Sequence, residues 1–261
     1  MPNARSATPE DIGGDGAGNP GAERSHRGAT EREAAVKIGI LGGSFDPIHQ
    51  GHVYIALRLI GVFQLDKVWF MVARVPPHKE KKKISASYHR YAMTVLALQE
   101  YEQLVASTWE LERDAPSFTV NTLSELARTR PADRFCFIAG SDSLRDLHSW
   151  KDYGKLLLEH CCVFVQRPSF QVDVAELPLS GTLKEVIQPI CSETQYEIQA
   201  GRSFLVTLDP PAVSSTAIRD ALAAGETPSP QAVSPSVLAY ISKYRLYENN
   251  RSRPEEGLRD H

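Results

Sequence analysis

Two histidines three residues apart, His49 and His52, sit in the densest group of reactive residue types in the chain. Their run reads Gly42-Gly43-Ser44-Phe45-Asp46-Pro47-Ile48-His49-Gln50-Gly51-His52. At that spacing two imidazoles share one face of a helix start. A helix start also offers unbonded N–H groups and the positive end of its dipole. Gly42, Gly43 and Gly51 let a ligand approach the backbone closely. The combination suits phosphate oxygens. A second group, Ser214-Ser215-Thr216-Ala217-Ile218-Arg219, places hydroxyls at another helix start and a forked cation one turn on. Ile218 and Leu222 pack inward at i, i+4, so Arg219 projects on a different face. Pro76-Pro77 stiffens a loop that presents His78 and Lys79 for ligand contact. Gly140-Ser141-Asp142 combines close approach with a carboxylate that can accept from ribose hydroxyls. Trp150, followed by Lys151-Asp152-Tyr153, can stack on a flat ring.

Other chemistries find less support. The phosphate-binding pattern G-x-x-x-x-G-K-[ST] occurs nowhere. Gly16 to Gly21 matches G-x-G-x-x-G, but no strand precedes it and Pro20 interrupts it. No nucleophilic Ser or Cys constellation stands out. The four cysteines, Cys136, Cys161, Cys162 and Cys191, form no C-x-x-C pair and read as reduced thiols in or near a core.

These groups need elements to position them. Val36–Leu41, Lys67–Val72, Arg134–Ala139, Cys161–Val165 and Leu205–Leu208 read as short buried strands. Leu104–Leu111 reads as extended. Helical spacing follows His52, spans Tyr88–Glu100 and spans Thr119–Arg128, with Ser117 as the expected N-cap. Ser215–Ala224 stops at Gly225, and Pro235–Tyr244 starts with Ser234 as cap. Residues 169–202 read as a helix or an irregular insertion. Strand alternating with helix predicts an α/β fold, a Rossmann-like, doubly wound parallel sheet covered on both faces. Such sheets bind ligands outside the carboxyl ends of their strands, where the glycine and histidine run begins.

Composition sets the outer bounds. The chain has 261 residues, enough for a sizeable core. Its 29 Lys+Arg against 32 Asp+Glu leave a net charge of −3, which argues against nucleic acid as the partner. No apolar run approaches the ~20 residues of a membrane span, so the expectation is a cytoplasmic protein without membrane partners. Residues 1–35 are rich in glycine and lack aromatics, and they read as a disordered tail. A single domain is expected over 36–247, and a loose tail over 248–261.

Gly43-Ser44-Phe45-Asp46-Pro47-Ile48-His49-Gln50-Gly51-His52 resembles the nucleotidyltransferase signature G-x-F-D-P-x-H-x-G-H, and Ser214–Arg219 resembles the late S-S-T-x-I-R of the same superfamily. Val75–Lys79, Ser117-Phe118-Thr119 with Thr122-Leu123, Ala139–Leu144 and Ser149-Trp150 are similar, more narrowly, to bacterial nicotinate-nucleotide adenylyltransferases. The resemblance covers roughly Lys37 to Tyr247. Phe118 stands where that family more often has tyrosine, and Lys151 where an aromatic often follows the tryptophan.

The resemblance implies transfer of AMP from ATP to nicotinate mononucleotide, giving nicotinate adenine dinucleotide and pyrophosphate. It implies catalytic roles for His49, His52 and Arg219. It implies ATP contacts from Gly42, Gly43, Ser44, Phe45, Gly51, Ser214, Ser215 and Thr216. The mononucleotide would meet His78, Lys79, Thr119, Gly140, Asp142, Trp150 and Arg167, with the ring stacked on Trp150. Its ring carboxylate would meet Thr119 and backbone N–H groups near Trp150. Mg²⁺ is expected to arrive with ATP, because no dedicated carboxylate cage is visible. The rival readings are another adenylyltransferase of the superfamily, acting on phosphopantetheine, and a non-catalytic nucleotide-binding module.

Overall fold

A computed structural model describes residues 35–74, 84–113 and 117–248. The expected tail over 1–35, the glycine pattern at 16–21, and His78 and Lys79 therefore lie outside the described residues, apart from Ala35. So do the last thirteen positions, 249–261.

The apolar runs become seven strands: β1 Lys37–Gly43, β2 Lys67–Val72, β3 Leu104–Ser107, β4 Arg134–Gly140, β5 Cys161–Gln166, β6 Ile187–Ile190 and β7 Ser203–Thr207. They form one sheet in the order β3-β2-β1-β4-β5-β7-β6, and every pairing is parallel. Parallel neighbours need crossover connections, and from β1 through to β6 these carry helices: α1 Gln50–Phe63, α2 Ser87–Leu98, α3 Thr119–Thr129, α4 Ser141–Arg145, α5 Tyr153–Glu159 and α6 Gly181–Glu185. The β6–β7 connection has no helix, and α7 Ser215–Ala223 and α8 Pro235–Lys243 follow the last strand.

Period-two alternation sends successive strand residues to opposite layers. Cys136 and Ile138 of β4 pack with Leu59 and Phe63 of α1, Met93 of α2 and Ile241 of α8. Phe137 and Ala139 pack on the other side with Leu123 and Leu126 of α3 and with Leu156 and Leu157 of α5. The adjacent Cys161 and Cys162 separate in the same way, one into each layer. Both are buried, as is Cys136, and burial pushes the Cys161 thiol up to about 12. Cys191 departs from the expected core placement and is exposed.

β1 runs on through Gly43, β7 is Ser203–Thr207 and α2 ends at Leu98, and three further differences from the sequence reading have local reasons. The segment expected to be extended to Leu111 ends as a strand at Ser107, and the chain then turns around the Thr108 carbonyl, which accepts from Leu111 and Glu112. Ser117 is not the cap of α3: Phe118 holds that position, and no side chain caps it. Residues 169–202 are neither one helix nor an irregular insertion, since they contain α6 and β6. β6 is four residues long, holds Pro189 and lies at the sheet edge, the place where a strand tolerates a missing N–H. The late helices fit their signals: Ser234 accepts from Val237 N ahead of Pro235, and Gly225 adopts φ +80 just past α7.

Candidate active site

The strand order reverses between β1 and β4, the adjacent pair from which the chain winds outward in both directions. Their carboxyl ends open into a cavity of about 1060 Å³. That is at the upper end of the roughly 300–1,000 Å³ range of small-molecule and cofactor sites.

The β1–α1 run forms one end. Phe45 takes φ +47, a left-handed conformation that is unusual for an aromatic, and it packs edge-on against His52 with ring centroids 5.1 Å apart. A side chain at position 43 would put its Cβ 2.7 Å from the Phe45 ring, which accounts for Gly43. A Cβ at position 51 would press on the His49 ring at 3.1 Å, so Gly51 makes room for that imidazole. The two imidazoles stack, with centroids 3.7 Å apart. His52 Nδ1 accepts from the His49 backbone N–H at 3.2 Å. In neutral His52 the proton then belongs on Nε2, which becomes a donor.

His49 is 9% exposed, and its Nδ1 is buried without a hydrogen-bond partner among the described residues. Burial, assisted by the nearby Arg167 cation, pushes its pKa down to about 4. Burial therefore favours the neutral imidazole. One part of the phosphate reading needs correction. The first N–H groups of α1 are not all open, because Gln50 donates to the Ala232 carbonyl and His52 to the His49 carbonyl.

The α7 start closes this end. Ser214 caps the helix by accepting from Ala217 N at 3.1 Å. Ser215 donates to the Pro47 carbonyl at 2.9 Å, which fixes α7 to the β1–α1 run. Arg219 donates to the Asp46 carbonyl at 2.6 Å and to the Thr216 hydroxyl at 3.2 Å. Ser214, Ser215 and Arg219 line the cavity, as do Gly42, Gly43, Ser44, Phe45, His49, Gly51 and His52. Thr216 does not: its side chain serves Arg219 from outside.

The opposite end is more apolar. Trp150 meets Phe137 in a T-shaped contact at 5.9 Å, and Ile40, Met71 and Leu123 complete the wall. Thr119, at the first position of α3, Gly140 and Asp142 also line the cavity, as does Arg167, whose cation acts on His49. The Trp150 backbone N–H donates to the Leu147 carbonyl, so it is already engaged. Lys151 and Phe118, two departures from the family pattern, meet each other, with Nζ 5.0 Å from the ring centroid.

Sequence reasoning missed Glu110, which is 9% exposed and lines this end. Thr122 donates to it at 2.9 Å, and the buried Ser117 hydroxyl faces it without a well-formed bond. Burial pushes its carboxyl above the usual range, with Ser117, Thr122 and Arg113 acting against that. An acid just beyond a strand end at the binding edge was the available signal, and reading the strand through it concealed the turn. Asp146 and Phe170 also line the cavity and were not singled out. Among the described residues, no three His, Cys, Asp or Glu side chains form a metal-binding group.

The cytidylyltransferase-like family profile matches residues 40–221. A protein of Shewanella woodyi named as a probable nicotinate-nucleotide adenylyltransferase is 36% identical over 213 residues, spanning 81% of this chain and 99% of its own length. One of Bacillus licheniformis with the same name is 36% identical over 214 residues, spanning 81% and 98%. A solved structure of Plasmodium falciparum nicotinic acid mononucleotide adenylyltransferase complexed with NaAD shares the fold at a TM-score of 0.63 and 21% identity, covering 81% of this chain and 97% of that one. The chain thus belongs to the cytidylyltransferase-like family and, within it, to the nicotinate-nucleotide adenylyltransferase family.

Proposed function

We propose that this protein transfers the AMP part of ATP to nicotinate mononucleotide, releasing pyrophosphate and forming nicotinate adenine dinucleotide. One observation carries the reading: the stacked His49–His52 pair, Arg219 and Trp150 line a single cavity at the switch point of the sheet. The names of the relatives point to the same pair of substrates.

The mononucleotide phosphate attacks the α-phosphorus of ATP in line. A new P–O bond forms as the bond to the bridging oxygen breaks, and that oxygen leaves with pyrophosphate. The attacking phosphate is already anionic, so no general base is needed and catalysis rests on positioning and charge stabilisation. His52 donates from Nε2 to the polyphosphate. His49 completes its unsatisfied ring nitrogen on the same ligand, whose charge draws its pKa back up. Arg219 and the Ser214–Ser215 helix start hold the β and γ phosphates, and the Gly42–Phe45 backbone lies against the nucleotide. The magnesium ion enters with ATP as MgATP.

At the other end, Trp150 stacks on the pyridine ring and Asp142 accepts from ribose hydroxyls. Arg167 pairs with the mononucleotide phosphate. His78 and Lys79 are assigned to the same ligand from the sequence alone. Thr119, at the α3 start, receives the ring carboxylate. Burial favours the uncharged form of Glu110, which lessens its repulsion of that carboxylate.

The test is pyrophosphate release by the purified protein with MgATP, comparing nicotinate mononucleotide with its amide. Strong release with the acid is expected. A preference for the amide would overturn the carboxylate pocket, and release with neither would overturn the reaction.

A further inference from the structure

Arg90 of α2 is 1% exposed, yet it is an arginine. Burying a guanidinium is costly, and a methionine would fill similar space without that cost. Each of its three nitrogens donates to a backbone carbonyl: Nε to Ser85 at 2.9 Å, Nη1 to Ser44 at 2.8 Å and Nη2 to Arg74 at 3.0 Å. Those carbonyls belong to the entry to α2, the β1–α1 run and the exit from β2. One side chain thus ties three segments at the binding edge of the sheet.

The same run is held from a second direction. Asp46 is 5% exposed. One of its carboxylate oxygens accepts from the Tyr247 hydroxyl at 2.6 Å and the other from Ser85 N at 3.3 Å. Its carboxylate is therefore engaged inside the protein, while its carbonyl accepts from Arg219. Tyr247 reaches Asp46 from beyond α8 through two left-handed, non-glycine residues, itself at φ +69 and Arg245 at φ +50. L-residues adopt that conformation reluctantly, and the contact on Asp46 is what it achieves.

We propose that Arg90 and Tyr247 form a buried clasp that fixes the Ser44–Asp46 backbone and, through the Asp46 carbonyl, aims Arg219 at the polyphosphate. Both are positioning residues, and the idea rests on the adenylyl-transfer reading above. A clasp that only held the fold together would change the amount of active protein. A clasp that aims Arg219 changes affinity for one substrate and works only while Arg219 is present.

The experiment is a double-mutant cycle of Tyr247→Phe, which removes one hydroxyl, with Arg219→Ala. For Tyr247→Phe we expect about a tenfold rise in the KM for MgATP, the scale of one hydrogen bond to a charged group. The KM for the mononucleotide stays within about twofold, and in the Arg219→Ala background the Tyr247 effect disappears. Arg90→Lys, which keeps the charge and loses the fork, should raise the same KM. Calorimetric titration with MgATP gives a second readout on every variant. Wild-type activity with an unchanged KM in Tyr247→Phe would overturn the clasp alone, as would equal rises for both substrates or an undiminished effect without Arg219. A wild type that neither releases pyrophosphate nor binds MgATP would overturn the functional reading, and the clasp with it.

Discussion

The histidine end of the cavity draws most of its groups from consecutive residues, Gly42 to His52, closed by one helix start. The tryptophan end takes Glu110 from a turn after β3, Thr119 from α3, Phe137 from β4 and Trp150 from the turn before α5. The histidine end is tied by partly buried hydrogen bonds from Arg90, Tyr247 and Ser215 to backbone and carboxylate oxygens. The tryptophan end is walled by aromatic and aliphatic contacts around one buried acid. Their buried titratable groups are also opposed: His49 is pushed down and Glu110 up, each mainly by desolvation.

The largest expected effect tests the histidine end. His52→Ala should lower turnover by at least ~100-fold, the scale of losing a donor aimed at developing charge. Steady-state pyrophosphate release reads it, and near-normal turnover in a folded variant would assign the charge stabilisation elsewhere. Trp150→Ala should act on the other end, raising the KM for the mononucleotide about tenfold, as expected for loss of one stacked aromatic, and leaving the KM for ATP nearly unchanged. Equal rises for both substrates would show that the two ends are not separate.

A smaller effect sharpens the electrostatic contrast. The folded pKa of His49 lies below its unfolded value of 6.5, so the unfolded state binds the extra proton and stability is lost as pH falls from 6.5 towards 4. The folded pKa of Glu110 lies above its unfolded value of 4.5, so its stabilisation is complete below 4.5 and is lost as pH rises through the raised value. Melting temperatures across pH should therefore shift in opposite senses. His49→Gln should flatten the acid limb. Glu110→Gln should gain on the wild type at neutral pH and lose that advantage near pH 4.5. Parallel curves for either variant would remove its assigned environment.

Contiguity explains what was legible. The β1–α1 run and the Ser214–Arg219 run each carry their chemistry within one stretch of chain, so spacing alone pointed to them. Glu110 was hidden because its placement depends on where β3 ends, which is set by backbone bonds to the Thr108 carbonyl. Thr216, expected at the ATP, is absent from the cavity wall, and its hydroxyl accepts from Arg219 one turn along α7. β6 was missed because a four-residue edge strand containing proline has little pattern of its own.

Local residue type and spacing by themselves determined the parallel α/β layering, the glycines at the end of β1, the paired imidazoles and the starts of α7 and α8. These follow from steric limits, apolar periodicity and capping, all acting over a few residues. Only the tertiary structure decided which carbonyls Arg90 would join, that Tyr247 would return to Asp46 and that His49 would lose its charge. Hydrogen bonds between Tyr247 and Asp46 span 201 positions, and desolvation depends on everything packed around a group, so neither is set by neighbouring residues in the chain.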